Sequence, residues 1–151
     1  MSKKYYLAYG SNLNINQMRM RCPDSKVVSK GFINDYELLF KGSMTGAYLT
    51  IEEKKGGKVP VGIWEESVID ELSLDRYEGY PHFYYKREFE IELDGKKEVA
   101  FVYIMNEERP LGIPSNFYVE TCKEGYEAFS FDKRYLTNAI KRSIPLSNGR
   151  K

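Results

Sequence analysis

The sequence predicts an α+β fold of about six strands and four short helices. Two observations carry this. The strand-like segments fall in consecutive hairpins rather than alternating with helices, which favours a largely antiparallel or mixed sheet over a doubly wound parallel one. The chain has 151 residues, which fits one domain and lets it bury about two-thirds of its unfolded surface without a metal or disulfide staple. Six short strands suit a small barrel or a strongly twisted open sheet, and the pattern of residues does not separate the two.

Each element has its own signal. Lys4 to Tyr9 reads as a tyrosine-rich first strand, broken by Gly10-Ser11-Asn12. Asn12 or Asn14 caps a short helix through Arg21, and Pro23 stops it. Tyr36 to Phe40 is a strand after a turn at Asn34-Asp35, and Ala47 to Glu52 is another. Lys54-Lys55-Gly56-Gly57-Lys58 reads as a loop or hairpin turn, with Val59 to Glu65 returning. Ser67 with Asp70 signals a helix start, and Gly79 is placed to end that helix. Residues 85–93 alternate apolar and charged, Asp94-Gly95 is a tight-turn signal, and Glu98 to Met105 runs back. Asn106 to Pro114 is a loop. Two helices close the chain, Ser115 to Ala128 and Asp132 to about Arg142. The expected organisation is one domain over residues 1–144 with a loose tail over 145–151.

Composition narrows the function classes. Lysine plus arginine is 23 against 22 acidic residues, a net charge of +1. Neutralising a phosphate backbone needs a cationic surplus, so nucleic acid is not an expected partner. No apolar run approaches the ~20 residues of a membrane span, and the first apolar stretch ends too early for a signal peptide. The two cysteines, Cys22 and Cys122, lie far apart with no histidine or acid neighbours that mark a metal site. Free thiols and a cytoplasmic location are the expectation. The 15% aromatic content includes thirteen tyrosines. Tyrosine suits pockets that need an apolar wall with a polar tip, and a tyrosine-rich surface is compatible with a homodimer.

Three segments are candidates for chemistry. Tyr9-Gly10-Ser11-Asn12 lies between a strand and a helix, where successive backbone N–H groups make an anion site and Gly10 admits a ligand close to the backbone. It has neither dinucleotide nor P-loop spacing, and on local chemistry alone a plain turn with an asparagine cap is the simpler reading. Leu74-Asp75-Arg76-Tyr77-Glu78-Gly79 puts Glu78 at a helix C-terminus, where the dipole opposes its charge and raises its pKa. Tyr77, Tyr80, Phe83 and Tyr84 are placed to wall it from water and add to that rise. A carboxyl near neutral pKa serves general acid–base catalysis. The bland alternative is a solvated glutamate offset by Arg76. In Pro114-Ser115-Asn116-Phe117-Tyr118, Ser115 caps a helix, and Tyr118 one turn in either faces a ligand or packs in the core. His82 is the lone histidine and reads as structural or rim-lining. The charges of the 86–97 hairpin read as a solvated face.

Taken together, Tyr-Gly-Ser-Asn-Leu after a first strand, Leu-Asp-x-x-Glu-Gly in the middle and Pro-Ser-x-x-Tyr before the last helices resemble the γ-glutamylcyclotransferase-like family. Arg21-Cys22-Pro23 and the strand Val59 to Trp64 fit the same pattern. The resemblance runs from about Lys4 to Leu136. It implies a small mixed β-barrel of about six strands with flanking short helices, and an acyltransferase that releases 5-oxoproline from a γ-glutamyl amide. By position Glu78 matches the catalytic glutamate. Tyr6, Leu7, Ala8, Tyr9, Gly10 and Ser11 match the substrate-binding segment, and Tyr118 matches the ligand-contacting tyrosine. The resemblance implies no metal or organic cofactor and a small-molecule γ-glutamyl substrate.

In that scheme Glu78 moves protons, while the amides of Gly10 and Ser11 hold either the substrate carboxylate or the oxyanion. The alternative class is a non-catalytic ligand-binding domain on the same fold.

Overall fold

A computed structural model of the chain describes residues 4–43 and 46–144. The tail expected over 145–151 lies outside them. Five strands, β1 (Lys4–Ala8), β2 (Lys26–Lys41), β3 (Tyr48–Glu66), β4 (Tyr84–Leu93) and β5 (Lys96–Met105), form one mixed sheet in the order β2-β3-β1-β5-β4. Four helices flank it: α1 (Ile15–Arg21), α2 (Val68–Glu78), α3 (Asn116–Ala128) and α4 (Arg134–Ser143). The fold is α+β, as expected. Central β1 runs antiparallel to β3 and parallel to β5.

The sheet differs from the expected barrel in two ways. Among the described residues the edge strands β2 and β4 share no ladder, so the barrel is open. Their side chains meet across the gap instead, with the Tyr36 and Phe89 rings edge-on and their centroids 5.4 Å apart. The strand count is five because two expected strands are one. Lys54 to Lys58 is not a hairpin turn but a bulge inside β3, opposite Asp35, where the register jumps between Asn34↔Lys58 and Tyr36↔Glu53. Asp35 (φ +64°) and Gly56 (φ +82°) take left-handed conformations, and the Gly56 N–H donates to Asp35 Oδ1 at 2.9 Å.

The local signals for the helices act as expected. Asn14, Ser67 and Ser115 accept hydrogen bonds from the N–H groups of Gln17, Asp70 and Tyr118. Gly79 closes α2 in the left-handed conformation at φ +67°. The 86–97 hairpin is not all solvated: Lys86 is half-buried and pairs with Glu71 (2.5 Å) and Asp75 (2.8 Å). The core lies between the sheet and the helices, around Leu7, Leu38, Phe40, Ile51, Val102 and Tyr126. Among the described residues no helix is long and apolar enough to cross a membrane.

Candidate functional site

A cavity of about 280 Å³ opens where the end of β1, the C-terminus of α2 and the start of α3 converge. The turn after β1 forms one wall. A 3₁₀ turn over Ser11–Leu13 starts there, with Leu13 N–H donating to the Gly10 carbonyl. The N–H groups of Ser11 and Asn12 therefore have no carbonyl within the turn to bond. Close approach explains the glycine: a Cβ on Gly10 would stand 3.2 Å from the Tyr118 hydroxyl and 3.5 Å from Leu49.

Glu78 is the carboxyl in the cavity wall. It is the last residue of α2, as its position before Gly79 indicated. Asn12 Nδ2 donates to Glu78 Oε2 at 3.1 Å and to the Tyr6 hydroxyl at 2.9 Å. Arg21 Nη1 donates to Asn12 Oδ1 at 2.5 Å. Burial drives the Glu78 carboxyl up to about 7, against the opposing pull of the Arg21 charge and the Asn12 hydrogen bond. The cation coupled to Glu78 is thus Arg21. Arg76, expected to offset it, lies at the exposed rim of the cavity.

Phenols make up much of the remaining wall. Tyr118 OH accepts the Leu49 N–H at 3.1 Å, and Tyr84 OH donates to the Leu49 carbonyl at 2.7 Å. Tyr9 OH donates to the Tyr103 carbonyl at 2.6 Å, and Tyr103 OH donates to Asp75 Oδ1 at 2.6 Å. Burial raises Tyr6, Tyr9, Tyr84 and Tyr118 well above the ordinary phenol value, so each is a neutral hydroxyl. The result is a largely uncharged, polar-tipped hollow with one carboxyl of near-neutral pKa.

The structure brings together Glu78, Tyr6, Tyr9, Gly10, Ser11 and Tyr118 around this cavity. Leu7 and Ala8 do not line it; they are fully buried in the core. Tyr77, Phe83 and Tyr84 line it as expected, whereas Tyr80 stands outside, edge-on to the Tyr103 ring. His82 is exposed and off the lining. Sequence reasoning gave no role to Asn12 beyond capping, and none to Arg21, Tyr48 or Tyr103. For Asn12 and Arg21 a signal existed, since both sit in motifs already singled out.

The family model described as gamma-glutamyl cyclotransferase, AIG2-like, matches residues 6–120. No curated protein matches the chain. Among solved structures, a gamma-glutamyl cyclotransferase is similar at 24% identity and a TM-score of 0.76, over 91% of this chain and 86% of that one. An uncharacterized Homo sapiens protein is similar at 25% identity and a TM-score of 0.77, over 100% and 94%. YkqA from Bacillus subtilis shares the fold at 18% identity and a TM-score of 0.75, over 95% of this chain and 55% of that one.

Proposed function

The chain belongs to the gamma-glutamyl cyclotransferase, AIG2-like family, and on that footing we propose that it releases 5-oxoproline from a γ-glutamyl amide with Glu78 as general acid–base. The observation that carries the reading is a carboxyl raised to about 7 in a cavity shared with the Gly10-Ser11 turn.

The substrate brings its own nucleophile and electrophile. Glu78 takes a proton from the α-ammonium group. The freed amine attacks the side-chain carbonyl carbon, forming the ring C–N bond and a tetrahedral oxyanion. Collapse breaks the bond to the leaving amine; Glu78 returns its proton to that nitrogen, and the ring nitrogen gives up its second proton as the lactam forms, so that the amine departs as an ammonium ion. Products are 5-oxoproline and a free amine, and no water is consumed. A carboxyl near 7 serves both transfers, and such acid–base help is typically ~10²–10⁴-fold. Folding the substrate onto itself supplies orientation, worth ~7–11 kcal/mol in favourable cases.

Amides at Ser11 and its neighbours hold an anion of the substrate, its carboxylate or the oxyanion. Tyr6, Tyr9 and Tyr118 orient it through their neutral hydroxyls. A cytoplasmic setting belongs to the same proposal and is supported by two buried, free cysteines.

The test is product analysis. Purified protein given a γ-glutamyl dipeptide is expected to yield 5-oxoproline and free amino acid in equal amounts. Saturable binding with no product would favour the ligand-binding alternative.

A further inference from the structure

We propose that Arg21 is a positioning residue for the Glu78 carboxylate and acts on it through the carboxamide of Asn12. Its bearing on turnover rests on Glu78 being the acid–base. Arg21 ends α1, is half-buried and does not line the cavity. Its guanidinium lies 3.6 Å over the Tyr77 ring and donates through Nη2 to Gln17 Oε1. Those two contacts fix it in place.

A guanidinium carries donors and no acceptor. The Asn12 atom that meets Arg21 Nη1 at 2.5 Å must therefore be the carbonyl oxygen. Nδ2 then faces the other way, and its two protons go to Tyr6 OH and Glu78 Oε2. Turned over, the carboxamide would set its oxygen against the carboxylate and its N–H groups against the guanidinium. Arg21 thereby dictates that Asn12, 3% exposed, offers Glu78 a donor. A donor and a nearby positive charge both favour the ionised carboxyl.

Arg21 is the charged side chain that bears on Glu78. The other titratable groups coupled to it are the neutral phenols of Tyr6, Tyr9, Tyr84, Tyr103 and Tyr118, from β1 and its turn, β4, β5 and α3. Burial pulls toward the protonated form. The Arg21–Asn12 pair is the counterweight that keeps Glu78 available as a base near neutral pH.

The experiment follows the Glu78 carboxyl by ¹³C NMR across pH, with the signal assigned by its loss in Glu78→Gln. Removing the charge with Arg21→Gln is expected to raise the midpoint by about half a unit or more. The kcat/KM at pH 6.5 then falls roughly threefold or more, while that at pH 9 stays within about twofold. Arg21→Lys restores a charge and is expected to bring the midpoint back toward wild type. In an Asn12→Ala background, Arg21→Gln is expected to move the midpoint by less than half as much as in wild type.

An unmoved midpoint in folded Arg21→Gln, or a rate loss equal at all pH values, overturns the proposal. An equal shift in the Asn12→Ala background overturns the route through Asn12. If Arg21→Gln does not fold, Asn12→Ala alone decides, because its midpoint must rise. If the midpoints move as expected but wild type forms no product at any pH, the positioning role stands and the proposed reaction fails.

Discussion

The Asn12 carboxamide donates to the Glu78 carboxyl at 3.1 Å across 66 residues of chain. The contact joins the turn after β1 to the end of α2, and so sets the candidate base beside the backbone amides it would work with. It also opposes the desolvation that raises Glu78 to about 7. Below that value the carboxyl is protonated and cannot accept a proton from the substrate ammonium group. The kcat/KM is therefore expected to climb with pH and to level off above about 7, changing roughly tenfold per unit on the acid side. A pH–rate profile flat from 5.5 to 8 would contradict this.

Gly10 tests the closeness of the cavity wall. A methyl there meets the Tyr118 hydroxyl at 3.2 Å, so the phenol must move by a few tenths of an ångström. Gly10→Ala is expected to keep the fold and lower kcat/KM by roughly tenfold, since small misplacements near reacting groups are costly. Steady-state kinetics beside a thermal melt separate this from unfolding; unchanged kinetics would show that the turn lies outside the substrate's reach.

Tyr118→Phe removes the acceptor of the Leu49 N–H. A buried N–H left without a partner costs about 1–3 kcal/mol. The melting temperature is expected to fall by several degrees, about 2–4 °C per kcal/mol at this chain length. A substrate analogue that binds wild type should bind the variant more weakly. Equal stability and equal binding would remove Tyr118 from the account.

Glu66 gives a stability prediction independent of the reaction. It ends β3, is 2% exposed, and neither carboxyl oxygen has a hydrogen-bond partner among the described residues. Burial, then the nearby Asp70 and Glu71 charges, raise it from 4.5 to about 8, while the Cys22 thiol opposes the rise. The folded chain thus holds this proton more tightly than the unfolded chain. Its contribution carries no penalty below 4.5, loses ground as pH rises from 4.5 to about 8, and is level above. Glu66→Gln is expected to gain stability over wild type by a few kcal/mol between pH 5 and pH 8.5. Urea melts at the two pH values check this, and a difference that does not grow with pH would contradict it.

Local order was legible because it is written in neighbouring residues. Asn14, Ser67 and Ser115 cap their helices, Gly79 ends α2, and Asp94-Gly95 turns β4 into β5, each by chemistry within a few positions. What failed to show was long-range. Lys54 to Lys58 has the residues of a hairpin turn, yet Asp35 pairs with Gly56 and makes a bulge; the same glycines serve either geometry. Residues 26–33 lie on an edge strand with much of their surface exposed, so no apolar alternation marked them. The motifs pointed to Glu78, Gly10 and Tyr118 as candidates, but the Arg21–Asn12 relay depends on side chains meeting across elements. Tyrosines look alike in sequence whether their hydroxyls line the cavity or, like that of Tyr126, lie in the core away from it.

Glu78→Gln tests the central claim most directly, because the amide keeps nearly the same shape and cannot take up the ammonium proton. Turnover of a γ-glutamyl dipeptide to 5-oxoproline and calorimetric binding of the same compound should be measured on both proteins. The account predicts binding within a few-fold of wild type and turnover reduced ~10²-fold or more. Product formed at the wild-type rate by the variant would contradict it.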